Sequence, residues 1–132
     1  MTGLDEVRDE LIEVAAVITD FDLNPLDEGI DIVIKPSAAA LENMNDFVTK
    51  MHTSSGLITE LDAGTTVAEA QTQVLEYIKK HVPEAGKAPL GGNSVGTDKV
   101  FLNKQMPELV EHLHYRIIDV SSIKDLSKQW CP

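Results

Sequence analysis

A chain of 132 residues, 42% hydrophobic and 25% charged, has the composition of a soluble globular protein with room for one core of ordinary size. Its net charge of -11, from 11 Lys and Arg against 22 Asp and Glu, excludes a basic stripe able to grip long nucleic acid, although a short phosphate ligand in one pocket remains compatible. No run of about 18 apolar residues offers a membrane span, no signal-peptide layout opens the chain, and the single Cys131 makes neither an internal disulfide nor a zinc pattern, so the cytoplasm is the expected compartment.

MTGLD, residues 1 to 5, reads as a tight turn that runs at once into a predicted strand over 11–21 (LIEVAAVITDF). After the Asn24-Pro25 turn, EGIDIVIK (28–35) predicts the second strand of an antiparallel hairpin, closed by Lys35-Pro36. SAAALENMNDFVTKMH then predicts one helix, with Ser54-Ser55-Gly56 as its stop, followed by a short helix over 57–61. The clearest helix spans 66–81: Thr66 and Glu69 have capping-box spacing, and Val67, Ala70, Val74 and Ile78 recur as one buried stripe. APLGGN predicts a short strand, TDKVFLNKQM a helix broken before Pro107, and PELVEHLH a further turn or two. YRIIDV predicts a strand and SSIKDLSKQW a final helix on a serine cap. The order is that of an α/β domain, in which a strand ahead of Met1 would complete one continuous sheet with the hairpin and the later strands.

GGNSVGTDKVFL (91–102) carries the most chemistry. Free N–H groups at a helix start beside the Ser94 hydroxyl make a phosphate seat, and Asp98 in the first turn is placed to hold a divalent metal bridging to that phosphate. The same residues also read as an ordinary N-cap followed by a helix-favouring acid.

Three segments in order carry a resemblance: MTGLD, MHTSSGL (51–57) and GNSVGTDKVFLNKQMPELVEHLHYRIIDVSSIKDL. Together they resemble the oligoribonuclease branch of the DEDD family of 3'-to-5' exonucleases. The resemblance implies a ribonuclease-H-like mixed sheet flanked by helices, and two-metal hydrolysis of very short RNA to nucleoside 5'-monophosphates with Mg2+ or Mn2+. It implies that Asp98 is a metal ligand, that Leu4, with Thr2 and Gly3, wedges against substrate bases, and that His52 lines the nucleotide pocket. Ser94, Arg116 and Ser121 would cap the substrate's 5'-phosphate, Arg through its planar fork. Tyr115 would reach the site from a neighbouring protomer, which implies a homodimer, and Phe47 stands where many members stack a tryptophan on a base.

The pattern departs from the family at both ends. The D-x-E pair would fall just before Met1 and the H-x4-D motif after the final helix, so one acid of four, Asp98, is present and the general base is not. The expectation is a single incomplete exonuclease domain over 1–132, lacking the first strand and the C-terminal helices and inactive alone. Two other readings stay open: a non-catalytic remnant that binds short RNA or mononucleotides, and a structural or dimerisation fragment. Outside the motifs, His112 and His114 read as surface or interface residues, His81 as a helix C-terminal partner of the dipole, and Met44, Met51 and Met106 as core fillers. Trp130 is expected in the core or at an interface, and Cys131 has no assigned role.

Overall fold

The computed structural model describes residues 1–42, 44 and 46–131, with side chains at all of these except positions 46, 47, 58, 59 and 62. β1 (Glu13–Ala16) and β2 (Ile30–Val33) pair antiparallel, Glu13 opposite Val33 and Ala16 opposite Ile30. The ladder is shorter than the predicted strands because the intervening loop has its own hydrogen bonds. Asp20 Oδ1 accepts the N–H groups of Asp22 at 2.9 Å and Asn24 at 3.0 Å, an Asx-type turn that competes with strand pairing. Past β2, the Ile34 N–H donates to Ile12 and the Lys35 N–H to Thr65, carrying the hairpin edge to the start of the long helix.

The single helix predicted from residue 37 is two, α1 (Ala38–Glu42) and α2 (Asp46–Ser55). Met44 N–H donates to Leu41 at 3.3 Å, an i to i-3 bond that closes α1. α3 (Leu57–Glu60) and a 3-10 turn (Leu61–Ala63) follow the left-handed Gly56. α4 (Val67–His81) has the predicted stripe, with Ala70, Val74 and Ile78 buried. Half of its capping box forms: Thr66 accepts the Glu69 N–H at 3.2 Å, while the Glu69 carboxylate turns to the Thr65 hydroxyl.

β3 (Leu90–Gly92) and β4 (Ile117–Asp119) pair in parallel across α5 (Val95–Gln105) and α6 (Pro107–His112), and α7 (Val120–Trp130) ends the fold. Among the described residues the strands form two two-stranded sheets, the hairpin and the parallel pair, rather than one continuous sheet. Small sheets flanked by helices make this a mixed α/β protein. No helix among the described residues is long and apolar enough to cross a membrane.

The main core joins the hairpin to α4, α5 and α6 through Leu11, Ile32, Ile34, Val74, Phe101 and Met106. Ile12, Leu57 and Leu61 form a second cluster beneath α3. Several expectations are corrected here. Met51 is exposed on α2, although Met106 is fully buried as expected. Trp130 is 72% exposed, so of its two expected places the core is ruled out, because α7 buries none of its residues. His112 is buried, its Nε2 bonded to the Val82 carbonyl at 2.8 Å, because the 82–89 loop folds back over α6. His81 is held by an acid as well as by its place on α4: its Nε2 meets Asp27 at 2.8 Å beside the Tyr77 hydroxyl. The final helix starts on Asp119 instead of a serine, because that carboxylate accepts the Ser121 N–H at 2.9 Å.

Candidate functional site

The first part of the site is the Thr2–Leu4 turn. Thr2 is fully buried; its hydroxyl donates to Asp9 Oδ1 at 2.9 Å and accepts the Glu10 N–H at 3.0 Å. The other Asp9 oxygen accepts the Asp5 N–H at 2.9 Å, and the Asp9 N–H returns to the Asp5 carbonyl at 2.7 Å. Asp9 therefore fixes the chain on both sides of Gly3 and Leu4. A Cβ on Gly3 would sit 2.7 Å from Asp9 Cγ, so no larger residue fits without displacing that carboxylate. Leu4 is left 78% exposed, an apolar side chain projecting from a pinned backbone.

His52 lies against this turn. It is buried, and its Nε2 is 2.8 Å from the Met1 carbonyl, so that nitrogen carries the proton and donates. His52 thereby braces the turn. Asp98 completes the group: it is half-buried in the first turn of α5, burial pushes its carboxyl above the usual range, and the charge of the nearby Met1 amine works the other way. Phe47 falls within α2, but its side chain lies outside the described residues.

The second part is built where α5 and α7 begin. Ser94 is the N-cap of α5 in left-handed conformation, with φ 52°. Its N–H is not free, as the phosphate-seat reading expects, but donates to Asp119 Oδ1 at 2.9 Å. The same oxygen accepts the Ser121 N–H at 2.9 Å and the Ser121 hydroxyl at 2.6 Å, while Ser94 Oγ donates to Ser121 Oγ at 3.4 Å. The Ser121 hydroxyl and then the backbone N–H bonds hold the Asp119 carboxyl below the usual range. The two expected serines are thus brought together, in a hydroxyl chain that points into Asp119.

Arg116 and Tyr115 sit just before β4. The Arg116 guanidinium lies 5.4 Å from the Tyr115 ring centre and its Nε donates to the Tyr115 hydroxyl at 3.0 Å. His114 stacks on Tyr115 with ring centres 4.6 Å apart, and Lys99 reaches the Tyr115 carbonyl at 2.8 Å. Arg116 is folded onto this aromatic pair, with no bond to Ser94 or Ser121 among the described contacts. Tyr115 is 72% exposed.

Two organising residues escape the sequence reading, Asp9 and Asp119. Both look like loop acids, and the one usable signal is their spacing from a hydroxyl residue: Asp119 two before Ser121, Asp9 seven after Thr2.

Comparison with known proteins follows the same lines. Residues 1–132 match the RNase_T family, described as an exonuclease. Over all 132 residues the chain is 61% identical to an oligoribonuclease of Leifsonia xyli and 59% identical to one of Cutibacterium acnes, covering 64% and 65% of those proteins. It is 53% identical to an oligoribonuclease of Tropheryma whipplei, of which it covers 71%. The chain therefore spans about two thirds of the length of such relatives. It belongs to the RNase_T exonuclease family, in its oligoribonuclease branch.

Proposed function

We propose that the protein is a cytoplasmic 3'-to-5' exoribonuclease that degrades very short oligoribonucleotides, dinucleotides upward, to nucleoside 5'-monophosphates. One observation carries the size of the substrate. Ser94, the N-cap just ahead of α5, and Asp98, in the first turn of that helix, are four residues apart in sequence, and the Met1 amine lies near Asp98. A site whose 5' cap and reacting end lie four residues apart takes one or two nucleotides, not a long strand. The net charge of -11 supports the same limit.

In this reading Leu4 packs on a base, held by Asp9 and braced by His52. Ser94 offers its hydroxyl to the terminal phosphate once it turns from Ser121, and Ser121 does so once its hydroxyl leaves Asp119. Arg116 swings from Tyr115 to add a planar pair of donors. Tyr115 serves the neighbouring protomer of a homodimer. The exposed stripe of α7, Val120, Ile123, Leu126 and Trp130, supports a partner surface nearby.

The divalent ions implied by the resemblance, Mg2+ or Mn2+, would stabilise charge on the phosphate and activate the attacking water. The described residues do not fit such a centre by themselves: no three His, Cys, Asp or Glu come together, and Asp98 offers one carboxylate. Phosphate binding without turnover is accordingly the second reading for these 132 residues in isolation, and Asp98 standing alone favours it.

A labelled diribonucleotide with Mn2+ tests both. A protein that contains this chain and has the length of its relatives should release mononucleotides, and Arg116→Ala should raise KM for a 5'-phosphorylated substrate by about tenfold, the scale of one charge-assisted contact. The 132 residues alone should bind the dinucleotide without releasing product. Failure of the longer protein to release mononucleotides would overturn the proposed activity.

A further inference from the structure

His112 and His114 stand two apart in sequence, and the fold gives them separate tasks. His112 is bonded into the 82–89 loop, whereas His114 is half-buried and turns its ring to the two residues that follow it. Its Nδ1 accepts the Arg116 N–H at 3.0 Å, so in the neutral ring the proton is on Nε2. The ring lies on Tyr115, with centres 4.6 Å apart and planes at 25°. The His114 N–H donates to the Ala88 carbonyl at 2.9 Å, in the segment that leads into β3 and on to Ser94.

A side chain that accepts the N–H two residues ahead makes the bond of an Asx turn, which fixes the backbone of a short loop. The residue fixed here is Arg116. Two other bonds restrain the same stretch: Arg116 Nε donates to the Tyr115 hydroxyl at 3.0 Å, and Lys99 Nζ donates to the Tyr115 carbonyl at 2.8 Å. The bonds differ in kind. The Nε bond breaks when the guanidinium leaves Tyr115 for a ligand, whereas the His114 bond is to the main chain and persists through that movement. A long side chain loses rotamer freedom on binding, and a backbone held in advance leaves less to be lost.

We propose, on the reading of Ser94 and Ser121 as a 5'-phosphate cap, that His114 is a positioning residue for that phosphate. Through Nδ1 it holds the Arg116 main chain where the guanidinium can reach the two serines. Its Nδ1 is spent on Arg116, so His114 acts through its neighbour and not on the ligand.

Calorimetric titration of pApA and of ApA, which lacks the 5'-phosphate, into the chain in EDTA buffer tests this. The parent should prefer pApA. His114→Phe keeps an aromatic ring but has no acceptor; it should weaken pApA about fivefold, the scale of one neutral hydrogen bond, and leave ApA within about twofold. His114→Asn, whose Oδ1 stands where Nδ1 stood, should bring pApA back to within about twofold of the parent. In an Arg116→Ala background His114→Phe should add nothing. An equal loss for ApA, an Asn variant as weak as Phe, or an undiminished effect without Arg116, each with circular dichroism unchanged, would overturn the positioning role and leave the cap reading standing. The 15N spectrum of the parent's His114 ring, in mildly alkaline buffer, gives a check that needs no variant: Nδ1 should be unprotonated, and a proton on it would overturn the role. A parent with no preference for pApA would overturn the cap reading itself, and the role of His114 with it.

Discussion

Asp9 and Asp119 organise the two ends of the candidate site by the same device, a carboxylate that gathers a hydroxyl and backbone N–H groups, in very different surroundings. Asp9 is buried and spends both oxygens on Thr2 and Asp5. Asp119 accepts three bonds at one oxygen, at the junction of β4 and α7. The first end is locked, because loss of any partner leaves a buried polar group unpaid by water. The second can rearrange, because water replaces whatever a ligand displaces. Under the proposed function the first end is a wedge that stays still while substrates come and go, and the second a phosphate cap that opens and closes on each one.

The sharpest way to break this contrast is Asp9→Ala. It strands the fully buried Thr2 hydroxyl and the Asp5 N–H together, and should cost about 2–4 kcal/mol in urea denaturation. A cost below about 1 kcal/mol would show that the turn is not locked. Gly3→Ala comes next, at about 1–3 kcal/mol, because the new methyl group presses on the same carboxylate. Asp119→Ala removes the α7 cap and should lower Tm by only roughly 2–4 °C, while disordering the Ser94 and Ser121 amides in NMR spectra.

Acid pH probes the exposed carboxylates collectively. Asp27 is held down to about 2, by the Tyr77 hydroxyl first and then by His81, and Asp119 is also lowered. Folded-state values below the unfolded ones contribute stability that is present above the ordinary carboxylate range and is lost as pH falls toward 2. Asp27→Asn should therefore flatten the fall in Tm between about pH 4 and pH 2. An unchanged slope would remove Asp27 from the acid transition.

What was legible in the sequence follows the same division. α4 could be read residue by residue, because Val67, Ala70, Val74 and Ile78 meet one core and their spacing alone reports the buried face. The GGNS segment also announced its helix start, although α5 begins at Val95, two residues before the predicted Thr97, once Asp119 takes the Ser94 N–H. Asp9, Asp119 and the burial of His112 were not legible, since each depends on a partner brought in by the fold: Thr2, Ser94 and Val82. α7 is the converse case. Its apolar spacing is as regular as that of α4, yet Ile123, Leu126 and Trp130 all stay exposed. Periodicity names the face that wants a partner without naming the partner.

Asp98 belongs to neither pattern, and its replacement should have the smallest effect on stability and the opposite sign. Burial raises its carboxyl pKa above the unfolded value, so the ionised form is disfavoured in the folded state; the Met1 amine only partly offsets this. The resulting penalty is present above the folded pKa and vanishes below the unfolded value of about 3.8, where the group is neutral in both states. Asp98→Asn, in metal-free buffer, should raise Tm slightly at pH 7 and leave it unchanged at pH 3. A partly buried carboxylate with its ionised form disfavoured is compatible with a ligand for positive charge. If Asp98→Asn instead lowered Tm at pH 7, the carboxylate would be a structural partner, and the functional weight placed on it would have to move elsewhere.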